Sequence, residues 1–147
     1  MKAQQYQTLI TMLIPIMQDE SDMIAKMSTL CCELRTTFSH FHWVGFYRNV
    51  GTQTLKVGPH QGGHGCLSIP FEKGVCGKCA TERKTQIVAN VNALPYHIAC
   101  SSSTQSEIVV PIIKDGELIA VLDIDSDDMD QFDEIDQHYL ELLVALL

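Results

Sequence analysis

Apolar residues recur every three or four positions from residue 3 to about residue 38, a spacing that is typical of amphipathic helices. The polar stretch at 18–22 interrupts this spacing, so we expect two helices rather than one long helix. Ser21 and Asp19 are both suitable N-caps for the second helix, because their side-chain oxygens can accept from a free backbone N–H. Helical spacing returns over 132–147, which predicts a closing helix with Asp130 as its N-cap.

The middle of the chain predicts an antiparallel sheet instead. β-Branched and aromatic residues form short runs between turn residues, and the predicted strands cover 43–47, 54–57, 66–69, 86–89, 107–113 and 117–125. Asp-Gly at 115–116 joins the last two strands and favours a tight hairpin turn. A short helix is predicted over 74–83. These elements together predict an α+β fold, an α/β sandwich with a central antiparallel sheet.

The connection over 90–106 is unusually long. It contains Asn, Pro, Ser and Thr residues together with Cys100. Connections longer than about 12–15 residues without secondary structure are uncommon in compact domains unless they are functional. The connection is therefore a candidate part of a functional site.

The composition is that of an ordinary globular domain. The chain has 147 residues, 46% hydrophobic and 19% charged, so we expect one packed domain over residues 1–147. Its formal charge of −8 disfavours binding to nucleic acid or to an anionic membrane. The apolar run at 9–17 is far shorter than the roughly 20 residues of a membrane span and lacks a cleavage site of the signal-peptide kind. We therefore expect a cytoplasmic protein without nucleic-acid or membrane partners.

The unusual feature of the composition is its six cysteines. A reducing compartment disfavours a disulfide framework, which leaves metal binding, redox catalysis and burial as explanations. Cys76 and Cys79 form a C-x-x-C pair, which can be a redox site or half of a zinc site. The further ligands that zinc needs would have to come from His60, His64 or Cys66. Burial on a helix is the preferred interpretation of Cys79.

The other cysteines fall into two groups. Cys31 and Cys32 are adjacent on an amphipathic helix, and we expect them to be small buried hydrophobic residues. Cys66, Cys76 and Cys100 each lie in or beside an irregular segment that is rich in glycine or polar residues. A small molecule can reach a thiol in such a segment, and access is a precondition for thiol chemistry. Catalysis and burial both remain possible for these three.

Three carboxylates are predicted to converge. Asp123 and Asp125 are two residues apart on a strand, so their side chains share a face. Counting back through the hairpin turn places Glu107 near them on the neighbouring strand. Like charges side by side are costly unless a cation neutralises them or one carboxyl keeps a proton, and either arrangement suits a functional site. The alternative is that Asp125 caps a turn with Ser126 and that Glu107 lies at a solvated strand edge.

A set of short motifs runs from His42 to about Asp136. They are His42-Trp-Val-Gly-Phe-Tyr47, Val57-Gly-Pro-His-Gln-Gly62, Gly65-Cys66, Gly74-Val-Cys-Gly77, Pro95-Tyr-His-Ile-Ala-Cys100, Ser106-Glu-Ile-Val-Val-Pro111 and Gly116-Glu-Leu-Ile-Ala-Val-Leu-Asp-Ile-Asp-Ser126. Together they closely resemble the free methionine-(R)-sulfoxide reductases, which are built on a GAF domain. The resemblance implies one GAF domain, with N- and C-terminal helices on one face of the sheet and a loop-lined active site on the other. Most GAF domains are ligand sensors, so the alternative function is that of a small-molecule sensor without catalysis.

The resemblance also implies a reaction, the reduction of free L-methionine-(R)-sulfoxide to methionine without a cofactor or a metal. The cysteine that matches Cys100 attacks the sulfoxide sulfur and becomes a sulfenic acid. The thiol that matches Cys76 then condenses with it to a disulfide, and the thiol that matches Cys66 is the alternative or second partner. A thioredoxin-type reductant restores the dithiol.

The same resemblance implies the substrate-binding residues. Glu107 and Asp125 match carboxylates that stabilise the sulfoxide oxygen, and Asp123 matches one that suits the substrate ammonium group. Trp43 matches the aromatic residue against which the substrate methyl group packs, although core packing is its default interpretation. Tyr47 is assigned to the same substrate site.

Two positions depart from the family pattern. His60 stands where phenylalanine is common, and Cys79 stands where the family has a small residue without a thiol, so Cys79 could compete as a resolving partner. Backbone amides of the Cys100 loop are expected to hold the substrate carboxylate. The closing helix ends at Leu147 without a cap, and from this we expect a homodimer.

Overall fold

A computed structural model of the chain describes residues 1–96, 100 and 102–147. The backbone amides that are predicted to hold the substrate carboxylate belong to the loop around Cys100. Residues 97–99 and 101 of this loop lie outside the described residues.

Four α-helices and six strands are described. The helices are α1 (Lys2–Met17), α2 (Met23–Thr37), α3 (Gly74–Glu82) and α4 (Glu134–Val144), and a short 3₁₀ turn spans Val91–Ala93. The strands are β1 (Trp43–Asn49), β2 (Thr54–Gln61), β3 (Ser68–Pro70), β4 (Gln86–Val88), β5 (Ser106–Lys114) and β6 (Glu117–Ser126). This order confirms the predicted pair of N-terminal helices, the sheet, the short helix and the closing helix.

The six strands form one antiparallel sheet with the order β3-β2-β1-β6-β5-β4. Strands β1 and β6 lie at its centre, and the predicted hairpin between β5 and β6 is present with Asp115 and Gly116 at its turn, both at positive φ. Glycine adopts positive φ without steric cost, which explains its place in this tight turn.

The two faces of the sheet are covered differently. Alternate residues of each strand point to opposite faces, so Val44 and Phe46 of β1 lie in a core with α1, α2 and α4, whereas Trp43 and Tyr47 point to the face covered by α3. Each fully buried aliphatic or aromatic side chain in the first core contributes about 1.5–3 kcal/mol. The fold is therefore the predicted α+β domain with a central antiparallel sheet and the terminal helices on one face.

Two predicted N-caps are wrong, although both helices exist. Helix α2 is capped by Asp22, whose carboxylate accepts from the backbone N–H groups of Ile24 and Ala25. Helix α4 begins at Glu134 and is capped by Asp133, not by Asp130. In each case an acidic residue nearer to the first helical turn supplies the oxygen, because a cap must reach the N–H groups two or three residues ahead.

The bounds of β2 and β3 differ from their prediction. Strand β2 continues to Gln61 because β1 pairs with it over that length, and β3 begins at Ser68 rather than at residue 66. Cys66 therefore lies in the loop before β3. Within the part of the chain that the structure describes, no helix has both the length and the apolar character that crossing a bilayer requires.

Candidate active site

The three predicted carboxylates meet on the α3 face of the sheet. Glu107 of β5 lies directly opposite Asp125 of β6, and Asp123 follows on the same face of β6. Strand β1 closes the other side, where Trp43 pairs with Asp125. The hairpin register sets this convergence, so the alternative of a solvated strand edge at Glu107 is wrong.

Glu107 and Asp123 are buried, Asp125 is half-buried, and none of the three has a counterion within the described part of the chain. Glu107 is 6% exposed and Asp123 is 4% exposed, and no lysine or arginine forms an ion pair with them or with Asp125 among the described residues. The Oδ1 atoms of Asp123 and Asp125 have no hydrogen-bond partner within the same part of the chain. A buried polar atom without a partner is costly, which indicates that a ligand completes this site.

Burial also changes the acidity of the three groups. It raises the pKa of Glu107, of Asp123 and of Asp125 well above the ordinary carboxyl values, and repulsion between neighbouring carboxylates raises each pKa further. Both effects favour the protonated form of these carboxyls. A retained proton or a bound cation would compensate this cluster, which are the two arrangements that the sequence predicts.

Cys76 lies in the first turn of α3, next to these carboxylates. Its Sγ and the carboxylate oxygens of Glu107 and Asp123 all lie within 4.8 Å of one another. Burial raises the pKa of the Cys76 thiol well above its usual value, and the nearby carboxylates add to the effect. Gly77 allows α3 to pack closely against the backbone that follows β3, since a Cβ there would lie 2.6 Å from the carbonyl oxygen of Phe71.

A disulfide joins Cys66 to Cys100, with 5.2 Å between their Cα atoms. The resemblance favours Cys76 as the first partner of Cys100, and the structure instead pairs Cys100 with the alternative partner. The reason is position, because the Cys76 thiol is buried on a helix, whereas Cys66 lies in a partly exposed loop. Cys76 remains a free thiol.

One cavity brings most of the predicted site together. It is lined by Tyr47, Ile69, Gly74, Val75, Cys76, Cys100, Thr104, Glu107, Asp123 and Asp125. Tyr47 is 2% exposed, and burial raises the pKa of its hydroxyl above the usual value. The predicted residues Cys76, Cys100, Tyr47 and the three carboxylates therefore share one cavity, and Cys66 reaches it through the disulfide.

Trp43 lines a second cavity beside the first, and Thr104 and Asp125 line both. The indole N–H donates to the Gly63 carbonyl over 3.0 Å, and the ring stacks on Tyr47 with 5.7 Å between centroids. A Cβ at Gly65 would lie 2.9 Å from the Trp43 ring, so glycine is required there. Trp43 is both a core residue and a wall of the site.

Thr104 is a site residue that the sequence analysis does not single out. It is 7% exposed and belongs to the lining of both cavities. The sequence signal for Thr104 is its place in the long polar connection just before β5. Its burial is visible only in the structure, since threonine is mostly exposed in proteins.

The remaining cysteines do not line the cavity among the described residues. Cys79 is buried, and its Sγ lies 3.6 Å from the carbonyl oxygen of Val109, which confirms its interpretation as a buried helix residue. Cys31 is also buried, but Cys32 is exposed, so the prediction for Cys32 is wrong. Successive helical residues point about 100° apart, and only one of two adjacent cysteines can face the core.

His60, one of the residues that would have had to complete a zinc site at Cys76 and Cys79, does not join a metal-type cluster with Cys76. His60 is exposed, and its ring stacks on Trp43 with 5.4 Å between centroids. Among the described residues, three or more metal-type ligands come together only at Cys76, Glu107 and Asp123. The zinc site proposed for Cys76 with Cys79 is therefore not formed by these residues.

Comparison with known proteins supports the interpretation of the cavity. Residues 17–147 match the model of the GAF domain family GAF_2. The chain is 49% identical over 109 residues to the free methionine-R-sulfoxide reductase of Saccharomyces cerevisiae, covering 72% of this chain and 61% of that protein. It is 35% identical to the enzyme of the same name from Escherichia coli, covering 90% of this chain and 79% of that protein.

A solved structure gives the same result. The free methionine-R-sulfoxide reductase of Neisseria meningitidis, crystallised in complex with its substrate, superposes with a TM-score of 0.94 at 42% identity. The alignment covers 99% of this chain and 87% of that chain. The similarity therefore extends over the whole fold.

Proposed function

This chain belongs to the GAF domain family and, within it, to the free methionine-R-sulfoxide reductases, which are oxidoreductases, and we propose that it reduces free L-methionine-(R)-sulfoxide to L-methionine. The observation that carries the proposal is the Cys66–Cys100 disulfide, whose Cys100 lines the same cavity as the three carboxylates. A thiol pair supplies two electrons, and the carboxylates supply the acid that a sulfoxide needs.

In the first step the Cys100 thiolate attacks the substrate sulfur. The sulfoxide oxygen gains negative charge as the S–O bond weakens, and a proton from Glu107 or Asp125 neutralises that charge. The net step moves the oxygen from the substrate sulfur to the Cys100 sulfur. Methionine leaves as the reduced product, and Cys100 is left as a sulfenic acid. The raised carboxyl pKa values support this role, since they favour the protonated form that donates the proton.

The second step closes the disulfide. The Cys66 thiol attacks the sulfenic sulfur of Cys100, the S–S bond forms, and the oxygen departs as water after taking a proton. The pairing in the structure favours Cys66 as the first partner, and Cys76, which lines the same cavity, remains available as a second partner. A dithiol reductant of the thioredoxin type then becomes oxidised and restores Cys66 and Cys100 to thiols.

The charges of the site favour a free amino acid as substrate. Asp123 has an unpartnered buried oxygen that suits the substrate ammonium group, and Trp43, which pairs with Asp125 between β1 and β6, suits the methyl group. A methionine sulfoxide inside a polypeptide has no free ammonium group and would leave this oxygen unsatisfied. We therefore assign substrate binding to Trp43, Tyr47 and the three carboxylates.

Turnover with separated substrate epimers tests the proposal. With a thiol reductant, we expect the free R epimer to be consumed, and the S epimer and peptide-bound methionine sulfoxide to be left. Cys100→Ser should lose at least about a thousandfold in kcat/KM, because the nucleophile is removed. Cys32→Ser is the matched control, since that thiol is exposed and outside the cavity.

Two outcomes would contradict this function. Equal rates on both epimers would show that the site does not read the sulfoxide configuration, and full activity in Cys100→Ser would remove the nucleophile from the mechanism. Tight binding of the sulfoxide without turnover would favour a small-molecule sensor instead.

A further inference from the structure

Three donor groups of the cavity are arranged as metal ligands. Cys76 Sγ and one carboxylate oxygen each from Glu107 and Asp123 lie within 4.8 Å of one another. All three side chains are buried, and they come from α3, β5 and β6, which are packed elements rather than loops. The geometry points to a binding site for Zn²⁺ or a similar thiophilic divalent cation, which blocks the cavity when it is occupied.

The charge balance around these groups supports a cation. Asp123 is 4% exposed, its Oδ1 faces the cavity without a hydrogen-bond partner in the described chain, and no lysine or arginine is ion-paired with it there. A divalent cation would satisfy this oxygen and remove the repulsion among the three carboxylates. Asp125, on the same face of β6, lines the same cavity and also has a buried Oδ1 without a partner in the described chain.

The donor set selects the kind of metal. One thiolate with two carboxylate oxygens suits Zn²⁺, whereas Mg²⁺ and Ca²⁺ prefer oxygen ligands alone. Zn–S and Zn–O distances of about 2.0–2.3 Å place tetrahedral ligands roughly 3.3–3.7 Å apart, so small side-chain rotations from the present spacing are sufficient. The fourth position is left for water or for Asp125. Binding releases the thiol proton of Cys76 to solvent and involves no electron transfer.

The site is independent of the redox state of the other two thiols. Cys76 is free while Cys66 and Cys100 are joined, so the metal binds the disulfide form as well as the reduced form. Because Asp123 and Glu107 line the cavity that we assign to the substrate, the metal and the substrate exclude each other. The inhibitory consequence rests on the proposed function, but metal binding itself does not.

Titration of the disulfide form with Zn²⁺ tests the site. Oxidised protein competes with a chromophoric chelator for Zn²⁺, and we expect one equivalent to bind. Cys76→Ser should weaken the affinity at least about tenfold, since it removes the only thiolate ligand. Cys32→Ser, which removes an exposed thiol elsewhere, should bind like the wild type. Zn²⁺ binding of equal affinity in wild type and Cys76→Ser would overturn the proposal, as would no binding at all.

Two further measurements guard against a misfolded variant. Glu107→Gln keeps the side-chain shape and should also weaken binding at least about tenfold by removing a charged ligand. Co²⁺ in place of Zn²⁺ should give a thiolate-to-cobalt charge-transfer band that is absent in Cys76→Ser. A band that persists in Cys76→Ser, or Glu107→Gln with wild-type affinity, would contradict the assigned ligands.

The activity assay separates the two proposals. With metal-free protein, Zn²⁺ should inhibit sulfoxide reduction competitively with substrate, and a chelator should restore the rate. If metal-free protein reduces no sulfoxide, the proposed function fails while the chelator titration still decides on the metal site. Inhibition that substrate does not relieve would contradict the shared cavity.

Discussion

Buried carboxylates occur on both faces of the sheet, and the two faces treat them differently. On the helical face, Asp136 is fully buried, and it accepts from Lys2 Nζ and from the Tyr6 hydroxyl, each over 2.7 Å, and from the backbone N–H of Asp133. On the α3 face, Asp123 and Asp125 each keep a buried oxygen without a partner in the described chain.

The difference distinguishes a structural charge from a functional one. Asp136 ties the start of α1 to the start of α4, and every group around it is satisfied by the chain itself. The carboxylates of the cavity repel one another and depend on a proton or a ligand for compensation. Such uncompensated groups are a stability cost that proteins retain at functional sites.

Removing the structural charge should have the largest effect on stability. In Asp136→Ala the Tyr6 hydroxyl loses its partner and Lys2 loses its ion pair, so we expect a loss of about 3 kcal/mol in the free energy of unfolding. Urea denaturation measures it, and Asp128→Asn on the exposed surface is the control. If the free energy of unfolding fell no more in Asp136→Ala than in the control, Asp136 would not be a structural charge, and the contrast between the two faces would not hold.

The pH dependence of stability sharpens the comparison. Folding raises the carboxyl pKa values of the cavity above their unfolded values of about 4, so the folded state holds protons that the unfolded state has released. The contribution of these groups to the free energy of unfolding is therefore fully present below a pH of about 4, and it is lost as the pH rises through their raised pKa values. Each additional proton that the folded state holds changes the free energy of unfolding by up to about 1.4 kcal/mol per pH unit.

Asp123→Asn should flatten this slope, because one titrating group is removed, and denaturation between pH of about 5.5 and 8 measures it. The same variant should raise KM for the sulfoxide, since the amide does not compensate an ammonium group. A slope as steep as that of the wild type would show that Asp123 is ionised in the free protein.

A smaller effect is expected at the wall of the site. Trp43→Phe keeps an aromatic ring but loses the hydrogen bond from the indole to the Gly63 carbonyl, which costs about 1 kcal/mol. We expect KM to rise more than kcat falls, because the residue packs against substrate rather than reacting. Steady-state kinetics measure the split, and a fall in kcat alone would contradict the assignment.

The elements of the fold follow from local signals that the sequence carries. Periodicity of three to four marks the helices, and alternation marks the strands, since each element must bury one face. The hairpin between β5 and β6 was predictable together with the meeting of Glu107 and Asp125, because Asp115 and Gly116 fix its register. The N-caps were not, because several acidic residues compete within a few positions.

The pairing of the thiols needed the structure. Spacing along the chain does not determine which of Cys66 and Cys76 lies nearer to Cys100, because the distances in the fold depend on how a loop and a helix pack on the sheet. The burial of Thr104 and the exposure of Cys32 are of the same kind, since both depend on side-chain direction at one position.

The disulfide has a consequence for the mechanics of turnover. Cys66 and Cys100 are separated by 34 positions, so their bond closes a covalent ring in the unfolded chain. Closing a ring of that size lowers the entropy of the unfolded chain by an amount worth about 4 kcal/mol at room temperature. In the proposed cycle the polypeptide alternates between a cross-linked form that resists heat and an open form that melts more readily. The melting temperature of a sample would then report the fraction of molecules in the disulfide form.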